Sequence, residues 1–390
     1  MKRYLLFSIF SMLLISLFSC KSDKNIESRI IDFDVKPKVE ISLKFEDIVE
    51  KVKIVKIETR DDLVLPEYIS LEITQEYIIT ISDEEINQFD TKGNHISRLA
   101  VKGNGPNEFN NPHSIIDQYK NRLYVMNSRD GRKVLRVNLN TGEFLEPFTL
   151  DTPIYGYFVD DNENIVARLN LSYREGLGLE KGIESRIFFM STDDGALKDI
   201  VIKGNEYYLY SYQDFMRDKK DMFYYDYIVS DTLYTFDENG ATPFMIFKAT
   251  DKAENEITDG VEIHLRNIVA DMFVVNKENR KMVSRKIGNM GMTDMEIISS
   301  ENFLLDKNGN LSHLSGFVID KYNITLSSGQ VPHSTGNFLY YCFSAPRAIA
   351  LLEKALENET TTDKQRKEIN ALLSQIDEED NHIIIYGKRK

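Results

Sequence analysis

Residues 101–139 read VKGNGPNEFNNPHSIIDQYKNRLYVMNSRDGRKVLRVNL. The opening third is built for turning, with Gly103, Gly105, Pro106 and Pro112 closely spaced. After it come HSIID, RLYVMN and VLRVNL, in which β-branched and aromatic residues mix with polar ones as in half-buried strands. A glycine-rich crossover feeding short strands marks one unit of an antiparallel sheet. The glycines permit the backbone turns, and Gly105 reads as a position of positive φ. Phe109 is placed to plug between neighbouring sheets. Pro112 suits the start of an inner strand, where a missing N–H does least harm.

The unit recurs. Asp- or Asn-rich turns with a glycine stand between strand-like runs at Gly93, Gly142, Gly195, Gly240 and Gly309, at intervals of 49, 53, 45 and 69 residues. Each has the signature of a hairpin, and a further short strand precedes most of them. Four short strands every ~40–50 residues describe a propeller blade. No helical period interrupts the strands before residue 345, which excludes a Rossmann-type array. The fold expected is all-β, a six-bladed β-propeller with a short helical excursion in the last blade. The two helices fall in PRAIALLEKALENE and DKQRKEINALLSQIDEED, with Thr362 placed to cap the second. The run EKVKIVKIET at 50–59 precedes the first glycine turn as an orphan. Pairing it beside HIIIYG in the last blade would close the ring without an open edge. Residues 251–292 fit no blade, although IVADMFVVN and KMVSRKI read as strands.

The N-terminus reads as a targeting segment. Lys2 and Arg3 precede an apolar run that ends in LFSC, too short and too near the start for a comfortable membrane span. This resembles a bacterial lipobox, which implies cleavage before Cys20 and its acylation. The divisions expected are a signal peptide at 1–19, a lipidated, flexible tether at 20–38 and one propeller domain at 39–390. The whole chain carries 62 acidic against 48 basic side chains, a formal charge of −14. Removal of residues 1–19 takes away Lys2 and Arg3, leaving 46 basic residues and −16. Such a surface repels phosphate backbones and argues against nucleic acid as a partner. The one other cysteine, Cys342, lies in an apolar run and reads as a structural thiol.

The stretch GNGPNEFNNPHSI…NRLYVMNSRDGRKVLRV resembles the NHL repeat. With VKIVKIETRDD, IVSDTLYTFDENGATPFMIF (228–247), DEEDNHIIIYGKRK and the lipobox, the chain is similar to six-bladed propeller lipoproteins of Bacteroidetes. Asn107 departs from the pattern at a usual glycine. The resemblance implies an envelope protein anchored by Cys20, on the periplasmic or surface side of the outer membrane, whose ligand is unassigned.

Two chemistries compete with plain binding. PHSI followed by LYVMNSRDGR is similar to blades of the peptidyl-hydroxyglycine amidating lyases, which makes His113 and the second Pro-His at His333 candidate zinc ligands. A catalytic zinc needs about three protein ligands, and no third Pro-His occurs. Calcium is suggested by DDNENI (160–165) and DKNGN (306–310), but turn chemistry accounts for both. The remaining candidates are binding residues: His113, Arg129 and Arg132 in the NSRDGRK turn, and Tyr208, Tyr210 and Tyr212 in a Tyr-rich segment suited to recognition surfaces. The sequence thus reads as a binding or interaction module for a glycan, peptide or protein. A metal-dependent lyase or hydrolase in the same axial funnel is the alternative.

Overall fold

The computed structural model describes residues 29–127, 132–169, 184–206, 213–217, 222–227, 231–237, 239–253, 259–287 and 290–390. Six small sheets form a ring, a six-bladed β-propeller. Blade I holds Ser70–Ile73, Tyr77–Ile81, Glu85–Asp90 and His95–Val101. Blade II runs from Pro112–Asp117 to Phe144–Thr149, blade III from Ile154–Val159 to Leu197–Glu206, and blade IV from Gln213–Arg217 to Gly240–Lys248. Blade V begins at Gly260–Val269 and ends at Leu311–Ile319. The first strand of each blade lies at the axis, and the chain moves outward from it.

The glycine turns that set the repeat are the outer hairpins of blades I to V. Gly93, Gly142, Gly195, Gly240 and Gly309 have φ of 91°, 73°, 76°, 149° and 89°, the region where a side chain is penalised. The turns at Asp90 and Asp306 are built alike. In each, one carboxylate oxygen accepts two backbone N–H groups, and the other accepts the amide of the asparagine four residues on. In DDNENI, Asp160 likewise accepts the N–H of Asn164 at 2.7 Å.

Blade VI lacks such a turn because its outer strand comes from the other end of the chain. His333–Thr335, Phe338–Phe343 and Ile383–Lys388 are completed by Lys53–Lys56, with Ile384 opposite Val55. The orphan N-terminal strand therefore closes the ring as expected. The helices Ala345–Glu357 and Asp363–Leu373 are an excursion between the second and third strands of this blade. Thr362 and Gln365 cap the second helix reciprocally.

Among the described residues, strand structure is present ten residues before the expected boundary at Val39. Arg29–Asp32 pairs in parallel with the outer strand of blade IV, and Glu40–Lys44 pairs in parallel with that of blade V. Residues 29–56 thus run along the outer edges of blades IV, V and VI in turn. Phe33 explains why: its ring meets Phe247 of blade IV and Phe303 of blade V edge-to-face, at 5.5 and 5.4 Å. The polar composition of 20–38 hid this wedge.

Residues 260–287 also differ from the sequence reading. IVADMFVVN is not one strand; it contains the hairpin turn at Ala270 and Asp271 between Gly260–Val269 and Met272–Ile287. KMVSRKI is the far end of the second strand, which continues past Gly260 as a two-stranded ribbon with Met290–Asp306. That ribbon makes this blade depart from the repeat.

Among the described residues the buried apolar side chains fall into six clusters, each between successive blades. Phe109 is 3% exposed and lies between blades I and II with Ile79, Ile86 and Leu123, as its position in the crossover implied. The crossover glycines have a different reason from the one expected. Neither Gly103 nor Gly105 has positive φ; instead a Cβ on either would collide with the Glu108 carboxylate. That carboxylate accepts the N–H of Gly105 at 2.7 Å and holds the loop closed. No helix among the described residues is long and apolar enough to cross a membrane.

Candidate functional site at the propeller axis

Closing the ring brings one inner strand from each blade to a common axis. A cavity of about 210 Å³ lies near their C-terminal ends, and all six blades line it, through Glu72, Gln118, Tyr157, Arg217, Asn267 and Thr335. Its floor is made by guanidinium groups. Arg217, 8% exposed, donates to the carbonyl of Val159 at 2.9 Å, which ties blade IV to blade III. Arg389, 7% exposed, follows the third strand of blade VI and donates to the carbonyl of Arg217 at 2.7 Å. Glu72 accepts the hydroxyl of Thr335 from blade VI. Burial pushes this carboxyl up to about 8 despite that donor, so it carries a proton at neutral pH.

A larger cavity of about 840 Å³ opens between blades V and VI. It shares Met216, Asn267 and Ser334 with the inner one, so the two adjoin. Its walls include Tyr68, just before the inner strand of blade I, and residues 329–332, just before that of blade VI. This places it at the face of the ring where the inner strands begin. Asn267 sits at a bulge in the inner strand of blade V, where the pairing slips between Leu265 and Asn267. Its amide donates to the carbonyl of Pro332, and its oxygen accepts the N–H of Ile268 at 2.7 Å. Arg266, the extra residue of the bulge, lines the cavity, as bulged residues next to sites often do. Across the cavity, Ser344 and Arg347 bring the start of the helix Ala345–Glu357 to the wall. Tyr68, 84% exposed, stands at the rim.

The sequence-derived candidates are divided by this geometry. His333 lines the large cavity and stacks on Tyr340, with centroids 5.3 Å apart. His113 lies on the inner strand of blade II, two blades away. It stacks on Tyr155 of blade III at 3.8 Å, and its Nε2–H donates to the carbonyl of Gly156. Burial, with Arg168 beyond the Tyr155 ring, lowers the imidazole to about 4, so it is neutral and its ring N–H is committed to the backbone. The two histidines do not converge. Among the described residues no three His, Cys, Asp or Glu side chains gather into a metal site. Arg132 lies beside the start of blade II's third strand, its carbonyl accepting the N–H of Leu150. Arg129, Tyr208, Tyr210, Tyr212 and Cys20 fall outside the described residues. From the same Tyr-rich segment, Tyr224 is fully buried among Phe244 and Phe273, in the core between blades IV and V. Cys342 lines the large cavity, but burial pushes its thiol up to about 12, which keeps it inert.

Sequence reading missed Glu72, Arg217, Arg266, Asn267, Arg347 and Arg389. Apart from the adjacent pair Arg266 and Asn267 they are scattered along the chain, and only ring closure brings them together.

One solved structure supports the fold. A crystal structure of a Bacteroides fragilis protein inferred to be exported superposes with a TM-score of 0.56 at 14% identity, covering 93% of this chain and 99% of that one. BamB from Moraxella catarrhalis gives a TM-score of 0.40 at 10% identity, covering 86% and 100%. Hydrazine synthase from Kuenenia stuttgartiensis gives 0.40 at 11%, covering 80% and 84%. Among curated proteins none matches. Over residues 28–388, nearly the whole described chain, the protein belongs to the family described as a domain of unknown function, DUF4934.

Proposed function

We propose that this protein is a lipid-anchored propeller of the cell envelope, NHL-like in its crossovers, that binds a ligand in its axial funnel at the outer membrane. The observation that carries the reading is the mouth cavity of about 840 Å³, which adjoins, at Asn267 and Ser334, an inner chamber lined by every blade. Concave sites with a few converging polar groups on a rigid scaffold are where ligands are held. The groups present are suited to holding: guanidinium forks, a protonated carboxyl, an asparagine locked at both ends, and one exposed aromatic ring, that of Tyr68. The envelope location rests on the lipobox at Cys20 and agrees with the export inferred for the Bacteroides fragilis relative in fold.

Arrays of glycans and of peptides, probed with the mature chain and with Ser334→Trp, test the binding role. Ser334 lines both cavities, so an indole there should block their junction and abolish the hit. Hits of equal strength for both proteins would remove the funnel from the account. For the anchor, Cys20→Ala should leave the membrane fraction, since acyl chains supply the affinity. Unchanged detergent partitioning, with no lipid on the wild type by mass spectrometry, would contradict it.

A further inference from the structure

The mouth cavity has the wrong charge for its protein. The chain as a whole carries −14, yet the charged residues lining this cavity are two guanidiniums, Arg266 and Arg347, against one carboxylate, Glu67. Glu67 is exposed at the rim, where water screens it. Burial lowers His333 below its ordinary range, so at neutral pH it adds no charge of either sign.

Neither guanidinium is used up by the fold. Arg347 has no hydrogen-bond or ion-pair partner among the described residues. It stands in the first turn of a 13-residue helix, and that turn holds no acidic residue. A cation is disfavoured at the positive end of the helix dipole. The cap residue Ser344 makes no side-chain bond to the first-turn N–H groups, so these too are left for an outside partner. Arg266 touches Glu278 through a single contact of 3.3 Å. Arg280 already holds Glu278 through two N–H groups, at 2.8 and 3.0 Å, so Arg266 can turn away without stranding that carboxylate. A separate sign of a missing partner comes from Tyr341. It lines the same cavity, is 4% exposed, and its hydroxyl has no partner among the described residues. Buried hydroxyls are normally satisfied.

We infer that the ligand is an anion, and that the mouth holds its carboxylate or phosphate group between Arg266 and Arg347 at the start of the helix Ala345–Glu357. This rests on the funnel being the binding site. Guanidinium forks match both oxyanions, and helix N-termini favour them.

Titration calorimetry on the mature chain tests it, with four probes: trigalacturonate, its fully methyl-esterified neutral form, citrate and inorganic phosphate. Binding of at least one of the three anions is expected, weakening as salt is raised, with no comparable binding of the ester. The first and third probes against the fourth tell a carboxylate site from a phosphate site. Arg347→Gln should weaken that binding about tenfold or more, the usual worth of a charged hydrogen bond. The melting temperature of the unliganded variant should not fall, because Arg347 has no partner to lose. Equal binding of acid and ester, unchanged affinity in Arg347→Gln, or no binding of any anion at millimolar concentration would overturn the anion. A neutral probe whose binding is lost in Ser334→Trp but kept in Arg347→Gln would sink the anion alone and leave the funnel standing. Probes bound equally by wild type and Ser334→Trp would sink the funnel itself.

Discussion

Arg389 donates through Nη1 to the backbone carbonyl of Arg217, 2.7 Å away and 172 positions earlier in the chain. Arg389 is thereby joined to the inner strand of blade IV, at the floor of the axial cavity. Residues 383–389 are part of the ring on two counts: the strand Ile383–Lys388 lies between Phe338–Phe343 and Lys53–Lys56, and Arg389 spans the floor.

Removing residues 378–390 should therefore open the propeller. Both flanking strands would be left with bare edges, which invite pairing with other chains. Size-exclusion chromatography should show aggregation. A monomer with an unchanged melting temperature would refute the seam. Arg389→Ala, which removes the floor contact and keeps every strand, should fold and lose about 1–3 kcal/mol, the penalty for an unmet buried group, as read by urea denaturation.

The crossover carries two separable effects. Phe109→Ala should cost about 3–5 kcal/mol, because it empties the space between blades I and II. Gly105→Val should also destabilise, through the Glu108 carboxylate that a Cβ would strike. Since φ is not positive there, Gly105→Val with Glu108→Ala should recover part of the loss. No recovery in the double variant would return the explanation to backbone strain.

Two buried groups make stability depend on pH in opposite directions. Glu72 is raised from 4.5 to about 8, so the folded protein binds its proton more tightly than the unfolded chain does. Its contribution is complete below the ordinary value and is lost as pH climbs through about 8. The melting temperature of Glu72→Gln relative to wild type should rise across that interval. His113 is lowered from 6.5 to about 4, so its contribution is present above the ordinary value and is lost as pH falls through about 4. His113→Gln should show a shallower acid limb than wild type. Parallel curves for either variant would mean that the group does not titrate as its surroundings dictate.

The ring was legible because its period is written in backbone chemistry. Positive-φ glycines recur at the outer hairpins, the one blade without such a turn is closed from the N-terminus, and Thr362 caps its helix as composition suggested. What stayed hidden had no periodic signature. Phe33 sits in a polar stretch, yet it wedges between two blades. Arg266 reaches the mouth only because a bulge disturbs its strand. His113 was conspicuous from its Pro-His motif, but it binds the backbone of blade III. A funnel assembled from one or two residues per blade leaves no local motif to find.

Hydrogen–deuterium exchange on the mature protein, with and without a ligand drawn from the arrays, shows where on the ring the ligand sits. Added protection is expected at the mouth: around Tyr68, at the bulge of Arg266 and Asn267, in residues 329–334, and at the start of the helix Ala345–Glu357. Protection confined to the outer strands, or to the ribbon of Met272–Ile287 and Met290–Asp306, would place the ligand elsewhere and contradict a funnel-binding propeller.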